Sequence, residues 1–164
     1  MARIFIAIRF SDEFKRKLVE IQDSLKSRGV VGNYCSYGNL HMTLAFIGQH
    51  YDLSAIRKAV SEVEFEPFEL SLGALGTFPT KAGVIWCGVK DGTQATSLAN
   101  QLREQLTANG VSFGETEFYP HISLVQHPST IITDIAVPEA TIRVEQIHVM
   151  KSERIDGQLI YSEV

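Results

Sequence analysis

A chain of 164 residues, 45% of them hydrophobic and 21% charged, has ordinary globular composition, which excludes disorder and a coiled coil. That length fits a single domain, residues 1–164. A net charge of −4 and a pI of about 5.7 exclude broad, sequence-independent binding along a nucleic-acid backbone, which runs on a cationic face, but leave room for a small phosphate-bearing end held by a few local groups.

Arg3 to Ile8 reads as a strand. Its apolar run is far below the roughly 18 residues of a membrane span, and no secretory signal precedes it, so no membrane association is expected. Ser11-Asp12-Glu13 then marks the start of a helix carrying Phe14, Leu18, Ile21 and Leu25 at helical spacing, with Gly29 as its stop. His41 to Ile47 is a second strand. Asp52 opens a short helix with Leu53, Ile56, Val60 and Val63, and Phe68, Leu70 and Leu72 alternate as a third strand. Gly83 to Lys90 is an apolar strand ended by Asp91-Gly92. Thr93 to Asn109 is a helix with Leu98, Leu102 and Leu106 on one stripe, stopped by Gly110. His121 to Val125, Thr141 to Lys151 and Gln158 to Ser162 are strands, the last two joined by the turn Asp156-Gly157. Two cysteines, Cys35 and Cys87, cannot make a disulfide framework, and reduced thiols in a cytoplasmic protein are expected.

The second half repeats the first. Strand, helix, loop and histidine-headed strand recur at an offset of 80, and Phe68 to Leu72 finds its counterpart in His148 to Ser152. A duplicated α+β unit follows, with two lobes related by a pseudo-twofold axis and helices on the outside. The repeat carries a motif: His41-Met42-Thr43-Leu44 and His121-Ile122-Ser123-Leu124 both read histidine, apolar, hydroxyl, leucine. Ser and Thr are 23 and Leu 13 of the 164 residues, so two such matches among five histidines arise by chance on the order of once in a thousand.

Strand side chains alternate, so histidine and hydroxyl project from one face roughly 6.5–7 Å apart, while the apolar residue and leucine enter the core. A twofold relation brings the two sets together across a groove. Imidazole titrates near neutrality, so one ring can act as free base while its partner is protonated, the condition for concerted general base and general acid catalysis. Thr43 and Ser123 can donate hydrogen bonds to anionic oxygens between the rings. A phosphodiester suits this set, and the residues themselves do not say which histidine is acid and which is base.

These motifs resemble those defining the two-histidine phosphoesterase superfamily. More narrowly, Arg3 to Ile8, Asn39 to Gly48, Phe68-Glu69-Leu70, Gly76-Thr77-Phe78-Pro79 and Pro120 to Leu124 are similar to the RNA 2′,3′-cyclic phosphodiesterase branch, also called 2′-5′ RNA ligase. The resemblance implies two mainly antiparallel sheets facing a central cleft. It implies hydrolysis of a terminal 2′,3′-cyclic phosphate to a 2′-phosphate, with reversible 2′-5′ joining of RNA ends. By the same resemblance His41 is the proton donor to the leaving 3′ oxygen and His121 the acceptor that activates water. The chain departs from the family at Asn33-Tyr34, where Arg-Trp is usual, at Gln126, where Arg is usual, and at Ser123, where Thr is usual. Lys151 aligns with a basic position of the family. Tyr34, Tyr119, Gln126 and Lys151 are therefore candidate substrate contacts, with core or loop packing the competing role for both tyrosines.

Other readings stay open. A small cyclic nucleotide or cyclic phosphate sugar is an alternative substrate, and a non-catalytic module binding RNA ends is an alternative class. Hydrogen bonding alone has no need of two groups that titrate near neutrality, which favours the enzyme. There is no His-x-x-x-His or clustered cysteine spacing, so neither a metal nor a cofactor is expected. His50 and His127 read as loop residues and His148 as a strand residue. A monomer is expected.

Overall fold

The computed structural model describes residues 2–49, 51–78, 83–114 and 116–164, so His50 and Pro79 lie outside the described residues. Strand β1 (Arg3–Arg9) is apolar on both faces because it lies inside a sheet: Ile4, Ile6 and Ile8 face the main core, and Phe5 and Ala7 form a smaller cluster with Met150. Helix α1 (Asp12–Ser27) begins where the Ser11 hydroxyl accepts the Phe14 N–H at 3.3 Å, and buries Phe14, Leu18, Ile21 and Leu25 as one stripe. It ends beside Gly29, whose φ of +87° is a conformation glycine adopts without strain.

The chain continues through β2 (Asn33–Tyr34), a 3₁₀ turn (Tyr37–Asn39), β3 (His41–Gly48), α2 (Leu53–Ser61) and β4 (Phe68–Thr77). The second half contains β5 (Val84–Val89), α3 (Thr93–Ala108), β6 (Ile122–Gln126), β7 (Thr141–Val144), β8 (His148–Ile155) and β9 (Gln158–Glu163). One sheet has the order β3-β1-β8-β9 and the other β2-β6-β5-β4-β7, with every pairing antiparallel. The fold is the α+β arrangement of two antiparallel sheets that the resemblance implied. No described helix is long and apolar enough to cross a membrane.

The repeating unit of the sequence is not the unit that folds. Strand β4 leaves the first half to pair with β5, and β8 leaves the second half to pair with β1. Each sheet is thus assembled from both halves, and the main core runs continuously from Ile4, Ile6 and Ile8 to Leu70, Ile85 and Leu124. This exchange corrects one expectation. The run Thr141 to Lys151 is not a single strand, because Thr141–Val144 pairs with β4 while the chain from His148 pairs with β1. Strand β4 continues beyond Leu72 to Thr77, and α2 closes at Ser61, leaving Val63 outside it. Helix α2 has no counterpart among the described residues of the second half, where the equivalent stretch, 133–141, contains Pro138.

Candidate active site

Both motifs alternate as strands demand, and then break the alternation at the same place. His41 and Thr43 are part-exposed while Met42, Leu44 and Ala45 are buried; His121 and Ser123 are part-exposed while Ile122, Leu124 and Val125 are buried. The buried doublet marks a bulge. In the pairing of β1 with β3, Ile6 faces Ala45 and Ala7 faces Thr43, leaving Leu44 without a partner. In the pairing of β5 with β6, Ile85 faces Val125 and Trp86 faces Ser123, leaving Leu124 without one. The extra residue turns each histidine–hydroxyl pair to one face while both following residues stay in the core.

The two imidazoles are anchored alike. His41 Nδ1 lies 2.6 Å from the Asn39 carbonyl and His121 Nδ1 lies 2.7 Å from the Tyr119 carbonyl, each two residues back. A carbonyl only accepts, so Nδ1 carries the proton and Nε2 is the working nitrogen of both rings. His41 Nε2 is 2.6 Å from Thr43 Oγ1, closer than an extended strand alone gives, because the two side chains lean together. Burial lowers the His41 pKa, the Asn39 carbonyl raises it, and the charge of His121 adds to the lowering. Burial also lowers the His121 pKa, against the Tyr119 carbonyl, which raises it. Both shifts favour neutral imidazole in the free protein.

The walls differ in character. His41 packs against Phe5, with ring centroids 4.9 Å apart, and edge-on against Tyr161 at 5.2 Å. Arg9 stands opposite His41 in the ladder and pairs with Glu163 at 3.3 Å, and Glu163 also accepts from His148. Around His121 the wall is aromatic: Phe78 at 4.9 Å, Trp86 at 6.1 Å, and Tyr119 lying 5.2 Å from Trp86. Tyr119 is 52% exposed, whereas Trp86 is 8% exposed and its indole nitrogen has no hydrogen-bond partner among the described residues.

The candidate contacts divide. Tyr119 flanks the aromatic wall, and Gln126 is exposed on β6, in register with Asn33 and Val84 on the face that also bears Ser123. Tyr34 is engaged by its own segment, its hydroxyl donating to the Val30 carbonyl at 2.7 Å with Lys26 over its ring. Lys151 stands apart from these. It sits opposite Ile4, on the face away from Phe5 and His41, and pairs with Glu153 at 3.0 Å. Arg9, Trp86 and Tyr161 lie beside the histidines without any motif having signalled them, and Phe78 comes from the Gly76-Thr77-Phe78-Pro79 segment; their faces depend on strand register. Both cysteines are free, and burial pushes their pKa values up to about 11 at Cys35 and about 12 at Cys87, so neither is a ready nucleophile. No group of three or more metal-ligating side chains occurs among the described residues.

A sequence model of the 2′-5′ RNA ligase superfamily matches residues 36–156, a span that contains both motifs. The chain belongs to that superfamily. Among its relatives, the RNA 2′,3′-cyclic phosphodiesterase of Archaeoglobus fulgidus is 33% identical over 140 residues, covering 81% of this chain and 78% of the relative. The protein of that name from Thermotoga maritima is 29% identical over 167 residues, covering 92% and 86%. The crystal structure of Escherichia coli LigT in apo form gives a TM-score of 0.84 at 24% identity, over 99% of this chain and 94% of that one, which shows a shared fold. This superfamily member thus combines the two-sheet frame with one histidine–hydroxyl pair on each sheet.

Proposed function

We propose that this protein hydrolyses the 2′,3′-cyclic phosphate at an RNA end to a 2′-phosphate, as the names of its relatives describe for them. The observation that carries the reading is the matched anchoring of His41 and His121, which leaves two Nε2 atoms, one on each sheet, near enough to interact. The cyclic phosphate lies between them. His121 Nε2 takes a proton from water as the water oxygen bonds to phosphorus. The bond from phosphorus to the 3′ oxygen breaks, and protonated His41 delivers its Nε2 proton to that oxygen, leaving the phosphate on the 2′ oxygen. Thr43 and Ser123 donate to the non-bridging oxygens, where charge accumulates. Acid, base and charge stabilisation all come from side chains, so no metal enters the scheme. An RNA 5′-hydroxyl in the place of water gives a 2′-5′ linkage through the same proton transfers.

Around this centre, Tyr119 offers an exposed face for a base, and Gln126 offers an amide at the edge of β6. Tyr34 and Lys151 drop out of the contact set. The rest of the reading is a monomeric, cytoplasmic enzyme of one two-lobed domain, the last supported by the core that runs through both lobes. The test is an oligonucleotide ending in a 2′,3′-cyclic phosphate, incubated with protein and a chelator. A 2′-monophosphate end is expected, with His41→Ala and His121→Ala each slowing its formation by about 10²–10⁴-fold while the fold persists. An inert wild-type protein, or undiminished activity in either variant, contradicts the reading.

A further inference from the structure

The bulges at Leu44 and Leu124 each present a backbone carbonyl to a helix side chain from the other half of the chain, the Leu124 carbonyl also accepting from the Cys35 N–H at 2.9 Å. Arg103 on α3 donates to the Leu44 carbonyl through Nε at 3.2 Å and Nη2 at 3.1 Å, and through Nη1 to the Thr116 carbonyl at 2.7 Å. Gln22 on α1 donates through Nε2 to the Leu124 carbonyl and to the Cys35 carbonyl, both at 2.9 Å. The correspondence is positional. Gln22 and Arg103 are 81 residues apart, as are the second acceptors, Cys35 and Thr116, while Leu44 and Leu124 are 80 apart.

Arg103 has no carboxylate within ion-pair distance among the described residues. Its guanidinium is part-buried between Phe113 and Phe118, at 5.6 and 5.8 Å from their centroids. A half-buried cation spending three donors on backbone carbonyls acts as a strut, and its planar fork matches the Leu44 oxygen in a way a lysine ammonium cannot.

We propose that Arg103 and Gln22 are positioning residues for the two histidine strands, each fixing the bulge that aims the histidine–hydroxyl pair of the opposite half. The proposal rests on the catalytic reading of His41 and His121. Arg103 governs His41 and Thr43; Gln22 governs His121 and Ser123. The charges acting on His41 are those of His121 and Lys15, so a change at His41 on loss of Arg103 reports altered geometry, not a lost charge.

The test follows the ring resonances of His41 and His121 by NMR through a pH titration, assigned with the two alanine variants, alongside kcat and KM on the cyclic-phosphate oligonucleotide. In Arg103→Met the His41 midpoint moves up, toward that of a solvated imidazole, while His121 titrates as before; Gln22→Met gives the reverse. In each, kcat falls about ten- to a hundred-fold, as expected for a reacting group displaced by up to about 1 Å, and KM stays within about twofold. Arg103→Lys, which keeps the charge but not the fork, shows the same crossed pattern at smaller size and covers the case in which Arg103→Met does not fold. Folded variants with kcat and both titrations unchanged, or with both rings moving alike, overturn the proposal. If the wild-type protein does not turn over the oligonucleotide, the catalytic reading fails, and the crossed titration still decides whether these side chains position the rings.

Discussion

The two imidazoles set the pH behaviour. In the proposed mechanism His41 works as an acid and needs its proton while His121 works as a base and must lack one, and burial moves both pKa values below the usual 6.5. In the free enzyme both limbs of the rate profile therefore lie below 6.5, so kcat/KM peaks on the acid side of that value and falls with rising pH as His41 loses its proton. Bound phosphate favours the charged ring, so the alkaline limb of kcat lies above that of kcat/KM. Initial rates from pH 4 to 9 at low and saturating substrate check this; coincident alkaline limbs contradict it. The same shifts act on stability. The unfolded chain takes up these protons first, so the contribution of the neutral rings is complete above 6.5 and is lost as pH falls through it toward the lowered native values. The motif residues were legible because histidine, hydroxyl and leucine recur at one spacing. The depressed pKa values were not, because they arise from Phe5, Tyr161, Phe78 and Trp86, which converge only in three dimensions.

Strands and helices were read from periodicity, and periodicity gives a strand's two faces without saying which is which. Lys151 shows the consequence: aligned by position with a basic residue, it falls on the face away from Phe5, because the register of β8 against β1 puts Met150, not Lys151, beside that ring. Arg103 was hidden for the opposite reason, since an arginine among polar residues of α3 reads as a solvated helix face. The extension of β4 was hidden by Gly73 and Gly76, which normally weaken a strand. Here they admit close neighbours: a Cβ on Gly76 would come within 2.4 Å of the Trp86 ring, and one on Gly73 within 2.8 Å of the Val89 backbone. Gly76→Ala consequently destabilises the protein by about 1–3 kcal/mol, the usual cost of overpacking. Because Trp86 is the only tryptophan, its displacement also shifts the fluorescence maximum. Urea unfolding followed by that fluorescence measures both, and an unchanged midpoint and spectrum contradict the packing described.

At the scale of the molecule, a duplication legible in the sequence became two sheets that exchange strands, a step set by long-range pairing with no local signature. Strand exchange, the shared core and the crossed struts make either half incomplete alone. Unfolding is accordingly a single transition: in urea, Trp86 fluorescence from one sheet and the His41 ring resonance from the other disappear at the same midpoint. Separate midpoints would mean two independent lobes. In the proposed mechanism residues from both halves meet at one groove, where His41 and His121 share one phosphate. Titrating the protein with 2′-AMP while following both ring resonances addresses that claim most directly. Both rings are expected to respond with one saturation curve and both pKa values to rise, because a bound phosphate favours each charged form. A response from one ring alone, or two curves saturating at different concentrations, would show that the histidines serve separate sites.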